Sequence, residues 1–316
     1  MYRVGIMRLW ILVVGILAVA GIVATAQHIE SVQQSIGGQG GLLGSAGKPK
    51  IWWHVDDSQT NTREWLDWGA RETTEPNEPY LRVCLRRARE LWGAAYDIIP
   101  VLGRDTAVEI IRSGGIDIPS GWGEVPPALW MAWCRAAVLS AQGGLWVDGS
   151  ILPVGPLPEL KSSAVIFGYD PAESRAAGAA AGGVSAGWAA TSGHPVWRGM
   201  ARDVGAIISA GAPSWSSAEA RRALRSLWDR HCSGGAVTVM REPECSRDIY
   251  GRRLELDTLL GSTDWPDGQT DNCSWVPLPD GRDSLERTVP FQWFLRLSEE
   301  QIRESQFCWA KWATRR

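Results

Sequence analysis

Residues 128–157 read ALWMAWCRAAVLSAQGGLWVDGSILPVGPL, and this stretch decides the fold. Pro126-Pro127 can open a helix, because the N–H that proline lacks is an orphan in the first turn anyway. Ala128 to Gln142 holds no further breaker, and Gly143-Gly144 stops the helix. Leu145-Trp146-Val147 then reads as a short buried strand ending at Asp148, with Gly149 and Ser150 behind it. A carboxylate at a strand tip, followed by a small residue and an oxygen side chain, can hold a divalent cation. Hard Mg²⁺ or Mn²⁺ takes few protein oxygens and completes its shell with phosphate oxygens. Arg135, eight residues before Gly143, can meet the same diphosphate with its planar fork. Asp148 and Ser150 equally suit an ordinary turn, since Asp and Ser are among the commonest turn formers.

Outward from this stretch the same rhythm repeats. Upstream, Lys50 to Val55 reads as a first strand running into the polar, acidic loop Asp56 to Thr62. Pro79 starts a helix whose apolar positions Leu81, Cys84, Leu85, Ala88 and Leu91 share one face, with Arg82, Arg86 and Arg89 turned to water. Ile98 to Leu102 is the next strand. Downstream, Ala164 to Tyr169 and Val184 to Thr191 read as extended and the Ala/Gly-rich run 176–183 as a loop. Gly193-His194-Pro195 opens a helix, and Ser216 with Glu219 has capping-box spacing for another. Strands alternating with helices predict an α/β fold with a mainly parallel sheet. In such sheets ligands sit beyond the carboxyl ends of the strands, where His54, Asp56, Asp57 and Asp148 fall.

Composition excludes more than it identifies. The 316 residues carry 32 basic and 35 acidic side chains, a net charge of −3, so neither a polybasic nucleic-acid binder nor a charged disordered tail fits. Tryptophan is unusual at 19 residues against 5 Tyr and 4 Phe, and Lys is confined to Lys48, Lys50, Lys161 and Lys311. Codon bias accounts for both; tryptophan faces that stack on sugar rings account for the first alone. Residues 9–26 (LWILVVGILAVAGIVATA) are uncharged and long enough to span a bilayer, with Arg3 and Arg8 before them. This predicts a cytosolic tail at 1–8, a transmembrane signal anchor at 9–26, a flexible stem at 27–47 and a lumenal domain at 48–316, the type II arrangement. Ala24-Thr25-Ala26 also fits a signal-peptide cleavage site, which would make the protein secreted. The six cysteines lack metal spacing. Cys84 and Cys134 suit buried thiols, and any disulfides belong among Cys232, Cys245, Cys273 and Cys308.

The central stretch resembles sugar transferases with a DXD-type motif, closest to capsular polysaccharide synthesis proteins and related to glycosyltransferase family 32, the initiation-specific mannosyltransferase group. In these a helix ending near S-D-x-x-R leads through Y-G-G to a strand and then D-x-D, or D-A-T. Arg135, Gly143, Gly144, Trp146 and Asp148 match. Lys48 to Trp53, Pro79 to Trp92, Gly187 to Arg198 and Val289 to Leu297 resemble other family segments more weakly. The resemblance implies a GT-A (Rossmann-like) fold and transfer of a sugar from a UDP- or GDP-sugar to a hydroxyl of a glycan or glycoconjugate, with retention, in the Golgi or ER lumen. It implies Mn²⁺ or Mg²⁺ at Asp148 and Ser150, Asp148 and Arg135 as catalytic groups, and a donor site built from Trp52, Trp53, His54, Arg135, Gly144, Trp146, Asp148 and Ser150.

The departures define an alternative. Ala132 stands where the family has the Asp of S-D-x-x-R, and Ser150 replaces the second Asp of D-x-D. An inactive sugar-binding or scaffold subunit would carry such losses. Asp264, Asp267 and Asp271 are candidates to help a thin metal site, or a solvated loop. His194 and His231 read as ligands or as helix-end groups. Trp122, Trp188, Trp215, Trp265 and Trp275 are expected in or near loops as sugar-stacking faces. Trp92, Trp130, Trp133 and Trp228 fall at core spacing.

Overall fold

Strand β1 (Lys50–Val55) is buried along nearly its whole length, with helices covering both of its faces, as a central strand of an α/β sheet requires. The computed structural model describes residues 48–55, 76, 78–158, 164–167, 187–211, 214–232, 237–240, 254–263, 274–278, 285 and 289–314, all within the unit Gly41–Arg316. The expected anchor at 9–26 and stem at 27–47 lie outside them, as do Asp56, Asp57, Asp264, Asp267, Asp271, Trp265, Cys245, Cys273 and the run 176–183. Among the described residues no helix is long and apolar enough to cross a membrane.

After β1 come α1 (Pro79–Trp92), β2 (Asp97–Leu102), α2 (Gly103–Ser113), α3 (Pro127–Gln142), β3 (Gly144–Asp148) and β4 (Ile151–Pro153). Then follow β5 (Ala164–Phe167), β6 (Gly187–Ala190), α4 (Pro195–Ser209), α5 (Ser217–Cys232), β7 (Thr238–Met240) and α6 (Leu256–Gly261). The chain closes with β8 (Trp275–Pro277), α7 (Glu299–Glu304) and α8 (Cys308–Thr314). Six strands form one sheet in the order β2-β1-β3-β6-β5-β7, and β4 pairs antiparallel with β8 in a separate ribbon. Within the sheet β2, β1 and β3 are parallel, β6 alone runs against β3 and β5, and β7 is parallel to β5. The fold is therefore α/β with a mixed, mostly parallel sheet, compatible with a Rossmann-like arrangement.

Strand alternation divides the core between the two faces of the sheet. Ile51, Trp53, Val55, Leu145 and Val147 pack with α1 and the C-terminal helices. Trp52, Trp146 and Trp188 pack with α2, α3, α4 and α5. Helix α3 buries eleven residues, including Trp130, Ala132, Trp133 and Arg135, so it is enclosed by the protein on most sides. Its end explains the two glycines. Gly143 (φ +67°) and Gly144 (φ +98°) both lie in the left-handed region. A Cβ on Gly144 would stand 2.5 Å from the Lys50 carbonyl oxygen. The Gly143 carbonyl accepts a 2.8 Å hydrogen bond from Trp52 Nε1, which ties the turn to β1.

Several sequence expectations need correction. Trp188 and Trp275, expected in or near loops as sugar-stacking faces, are fully buried residues of β6 and β8, Trp188 within the stretch that reads as extended. A sequence window sees only short strands with Gly, Ala and Ser neighbours there, and the burial comes from sheet pairing. Helix α2 follows β2 without an intervening loop, where the sequence pattern marks no helix. Cys232 and Cys308, offered as disulfide partners, are thiols in the structure. Arg82 and Arg86 do not simply face water, for both bond Glu299 of α7, Arg82 Nε at 2.8 Å from Oε1. Other expectations hold. Trp92, Trp130, Trp133 and Trp228 are buried, Cys84 and Cys134 are buried thiols, and Ser216 and Glu219 form the capping box.

Candidate functional site

Parallel pairing of β1 and β3 sets His54 opposite Asp148. Paired residues of neighbouring strands project to the same face, so imidazole and carboxylate stand together at the carboxyl edge of the sheet. One pleat further in, the register aligns Trp52 with Trp146 and Trp146 with Trp188, a row of three indoles across three strands. The His54 ring stacks on Trp146, with centroids 5.1 Å apart and planes 23° from parallel. Arg135 comes from α3 on this face, its guanidinium carbon 5.3 Å from the Trp188 ring centre.

The chain turns sharply after Asp148. Its Oδ1 accepts hydrogen bonds from the backbone N–H of Ser150 at 2.9 Å and from the Ser150 hydroxyl at 2.8 Å. Gly149 donates its N–H to the His54 carbonyl at 2.6 Å. A Cβ at position 149 would meet that same oxygen at 2.6 Å and Val55 Cγ2 at 2.8 Å, so the close approach of the turn to β1 requires glycine. The turn reading of Asp148 and Ser150 is thus realised. It also fixes the carboxylate with Oδ1 engaged, and a hydroxyl that donates its proton keeps lone pairs for another partner.

Electrostatically the groups act as one cluster. Burial lowers His54 from 6.5 to about 4, the Asp148 carboxylate opposes that fall, and the Arg135 guanidinium adds to it. The imidazole is therefore neutral at neutral pH. Cys84 on α1 is held well above the usual thiol range, first by burial and then by the Asp148 charge. It is an unreactive thiol rather than a nucleophile.

Of the residues named from sequence, the structure brings together His54, Arg135, Trp146, Asp148 and Ser150. Asp148 is half-buried, while His54 and Arg135 are each only 5% exposed. Trp52 and Trp53 belong to the core on opposite faces of the sheet; Trp52 bonds the glycine turn and Trp53 packs on Trp92. Gly144 lies at the far end of β3 from Asp148. His194 caps α4, its Nδ1 accepting from the Val196 N–H at 3.3 Å. His231 Nε2 lies 2.9 Å from Asp203, joining α5 to α4. The Trp122 ring meets that of Trp130 at a tilt of 36° and is half-buried. Sequence reasoning missed the support that Trp188 gives Arg135, for which the only signal was an aromatic flanked by small residues.

Away from this cluster, beside the amino end of β3, a cleft of about 850 Å³ is lined by Ile116, Asp117, Trp133, Ser140, Arg198 and Arg202 among others. None of the expected site residues lines it. Among the described residues no group of three or more His, Cys, Asp or Glu side chains gathers as a metal site. Comparison with protein families, with curated proteins and with solved structures found no match.

Proposed function

We propose that the chain is a GT-A-type glycosyltransferase that moves a sugar from a UDP- or GDP-sugar to a hydroxyl of a glycan or glycoconjugate, with retention. On the same reading it sits as a type II membrane protein with the domain from residue 48 on the Golgi or ER lumenal side. The observation that carries the proposal is the register of His54 against Asp148 at the carboxyl edge of parallel strands, with Arg135 over the same face. The resemblance of residues 128–157 to DXD-type transferases supplies the reaction class.

The residues fit a hard cation in part. Asp148 offers a carboxylate oxygen beyond the one its turn occupies, and Ser150 a hydroxyl oxygen, leaving the remaining positions to diphosphate oxygens and water. Bound there, Mn²⁺ or Mg²⁺ would supply Lewis-acid stabilisation of the departing nucleotide. Arg135 holds donor phosphate oxygens with its fork and offsets their charge. His54, neutral and stacked on Trp146, presents a polar edge to the donor without adding charge. Gly149 lets the strand end approach closely enough for Asp148 and His54 to share one ligand.

Two observations favour a second reading. Ser150 occupies Asp148 Oδ1 in a closed turn, and Ala132 is buried where the family carries a carboxylate, as an inactive sugar-binding or scaffold subunit would have it. The test is a screen of UDP- and GDP-sugars with Mn²⁺ on the full chain, read by thermal shift and by nucleotide release. A donor-specific shift with release supports transfer; a shift without release supports the second reading. Asp148→Ala should weaken metal-dependent donor binding at least about tenfold. Unchanged binding in that variant would remove the metal assignment.

A further inference from the structure

Arg135 sits in a helix that is buried on most sides. Arg135 is 5% exposed and stands over an indole that is itself immobilised. Trp188 is 0% exposed. Its backbone is paired on one side with Trp146 and on the other with Ile166. Its ring is stacked on Trp197 of α4, with centroids 4.9 Å apart and planes 13° from parallel, and flanked by Trp228 of α5 at 5.5 Å. Two strands and two helices therefore fix one aromatic plane, and that plane lies under Arg135.

We propose that Trp188 is the positioning residue of Arg135, holding its guanidinium in one orientation for the pyrophosphate group of a nucleotide sugar. An aromatic face orients a guanidinium through the ring quadrupole and itself adds no negative charge. The guanidinium also acts on His54 across the same face, so its charge reaches the carboxyl edge where the donor would sit. The stack behind Trp188 gives the device its stiffness, because the ring cannot tilt without moving Trp197. This inference rests on reading Arg135 as the diphosphate-holding group.

The experiment measures binding of inorganic pyrophosphate, and of UDP and GDP, with Mn²⁺ to the full chain. It compares wild type, Trp188→Phe, Trp188→Leu and Arg135→Ala at a temperature where all are folded. Trp188→Phe keeps an aromatic face and should bind within about twofold of wild type, while Trp188→Leu should lose roughly threefold to thirtyfold, the range of a desolvated cation–π contact. The independent readout is the ring current. The Arg135 guanidinium protons should be shifted upfield in wild type and in Trp188→Phe, and return to their ordinary position in Trp188→Leu. Loss of binding in Arg135→Ala with full binding in Trp188→Leu would overturn the positioning role and leave the site reading intact. Full binding in Arg135→Ala would overturn the reading of Arg135 and the inference with it. If Trp188→Leu does not fold, the wild-type spectrum decides, since guanidinium protons without an upfield shift exclude the contact.

Discussion

Acidifying the protein from about pH 7 to about pH 4 should cost it roughly 3 kcal/mol through His54 alone. In the unfolded chain this imidazole titrates near 6.5; in the fold burial brings it to about 4, with Asp148 pulling upward and Arg135 pushing further down. Between those two values the unfolded chain binds a proton that the folded chain refuses. Stability therefore rises with pH through that window and levels off above it. The gap is roughly 2.5 pH units, and each is worth about 1.4 kcal/mol, which sets the size of the effect. The assay is urea unfolding at closely spaced pH values for wild type and His54→Asn, whose side chain does not titrate. Carboxylates that titrate in both proteins cancel in the difference, which isolates His54. A difference that stays constant between about pH 4 and 6.5, at unchanged urea dependence, would refute the reasoning. Asp148→Asn supplies a check on sign. It removes the carboxylate that raises His54, so the acid end of the window should move lower still.

Three further outcomes follow from the geometry. Gly144→Ala places a Cβ at φ +98° and 2.5 Å from the Lys50 carbonyl, and should lower unfolding free energy by roughly 2–3 kcal/mol in urea titration. Trp52→Phe removes the buried donor to the Gly143 carbonyl and should cost about 2 kcal/mol by the same measurement, with thermal unfolding shifted in step. Glu299→Ala removes the carboxylate that Arg82 and Arg86 share at the half-exposed junction of α1 and α7. The loss should be about 1 kcal/mol, shrink at high salt, and be accompanied by faster proteolytic cleavage near the C-terminus.

Much of the front of the sheet was legible because local signals agreed there. Proline at the start of α1 and of α3, the glycine pair after Gln142 and the apolar run into Asp148 each fix a boundary by backbone chemistry alone. That agreement also made His54 and Asp148 legible as strand-end residues. Direction was not legible for β6, because a strand of four residues carries no mark of which way its neighbours run. Helix α2 escaped notice since Pro100 within β2 and Gly103 at the junction both look like interruptions, while its buried Ala107, Val108 and Ile111 span barely one turn. Helices α7 and α8, of six and seven residues, are too short for periodicity to declare itself. In the candidate site the charged groups could be found from sequence, but the indole that supports Arg135 could not. Its role depends on which ring lies beneath which side chain, and only tertiary packing decides that.

The ribbon of β4 and β8 bears on how the protein acquires its fold. The chain leaves this ribbon at Pro153 and returns to it at Trp275, with Ile151 paired to Pro277. Loop-closure entropy grows only slowly with length, so closing this interval costs about 1 kcal/mol more than pairing β1 with β2. The ribbon, like the pairing of β1 with β3, joins segments that lie far apart in sequence. Once formed it brackets everything between its two ends, so a chain cut within that interval would leave two fragments that still share a hydrogen-bonded seam. Reassembly of the protein from such fragments would be a matter of concentration and no longer of chain connectivity.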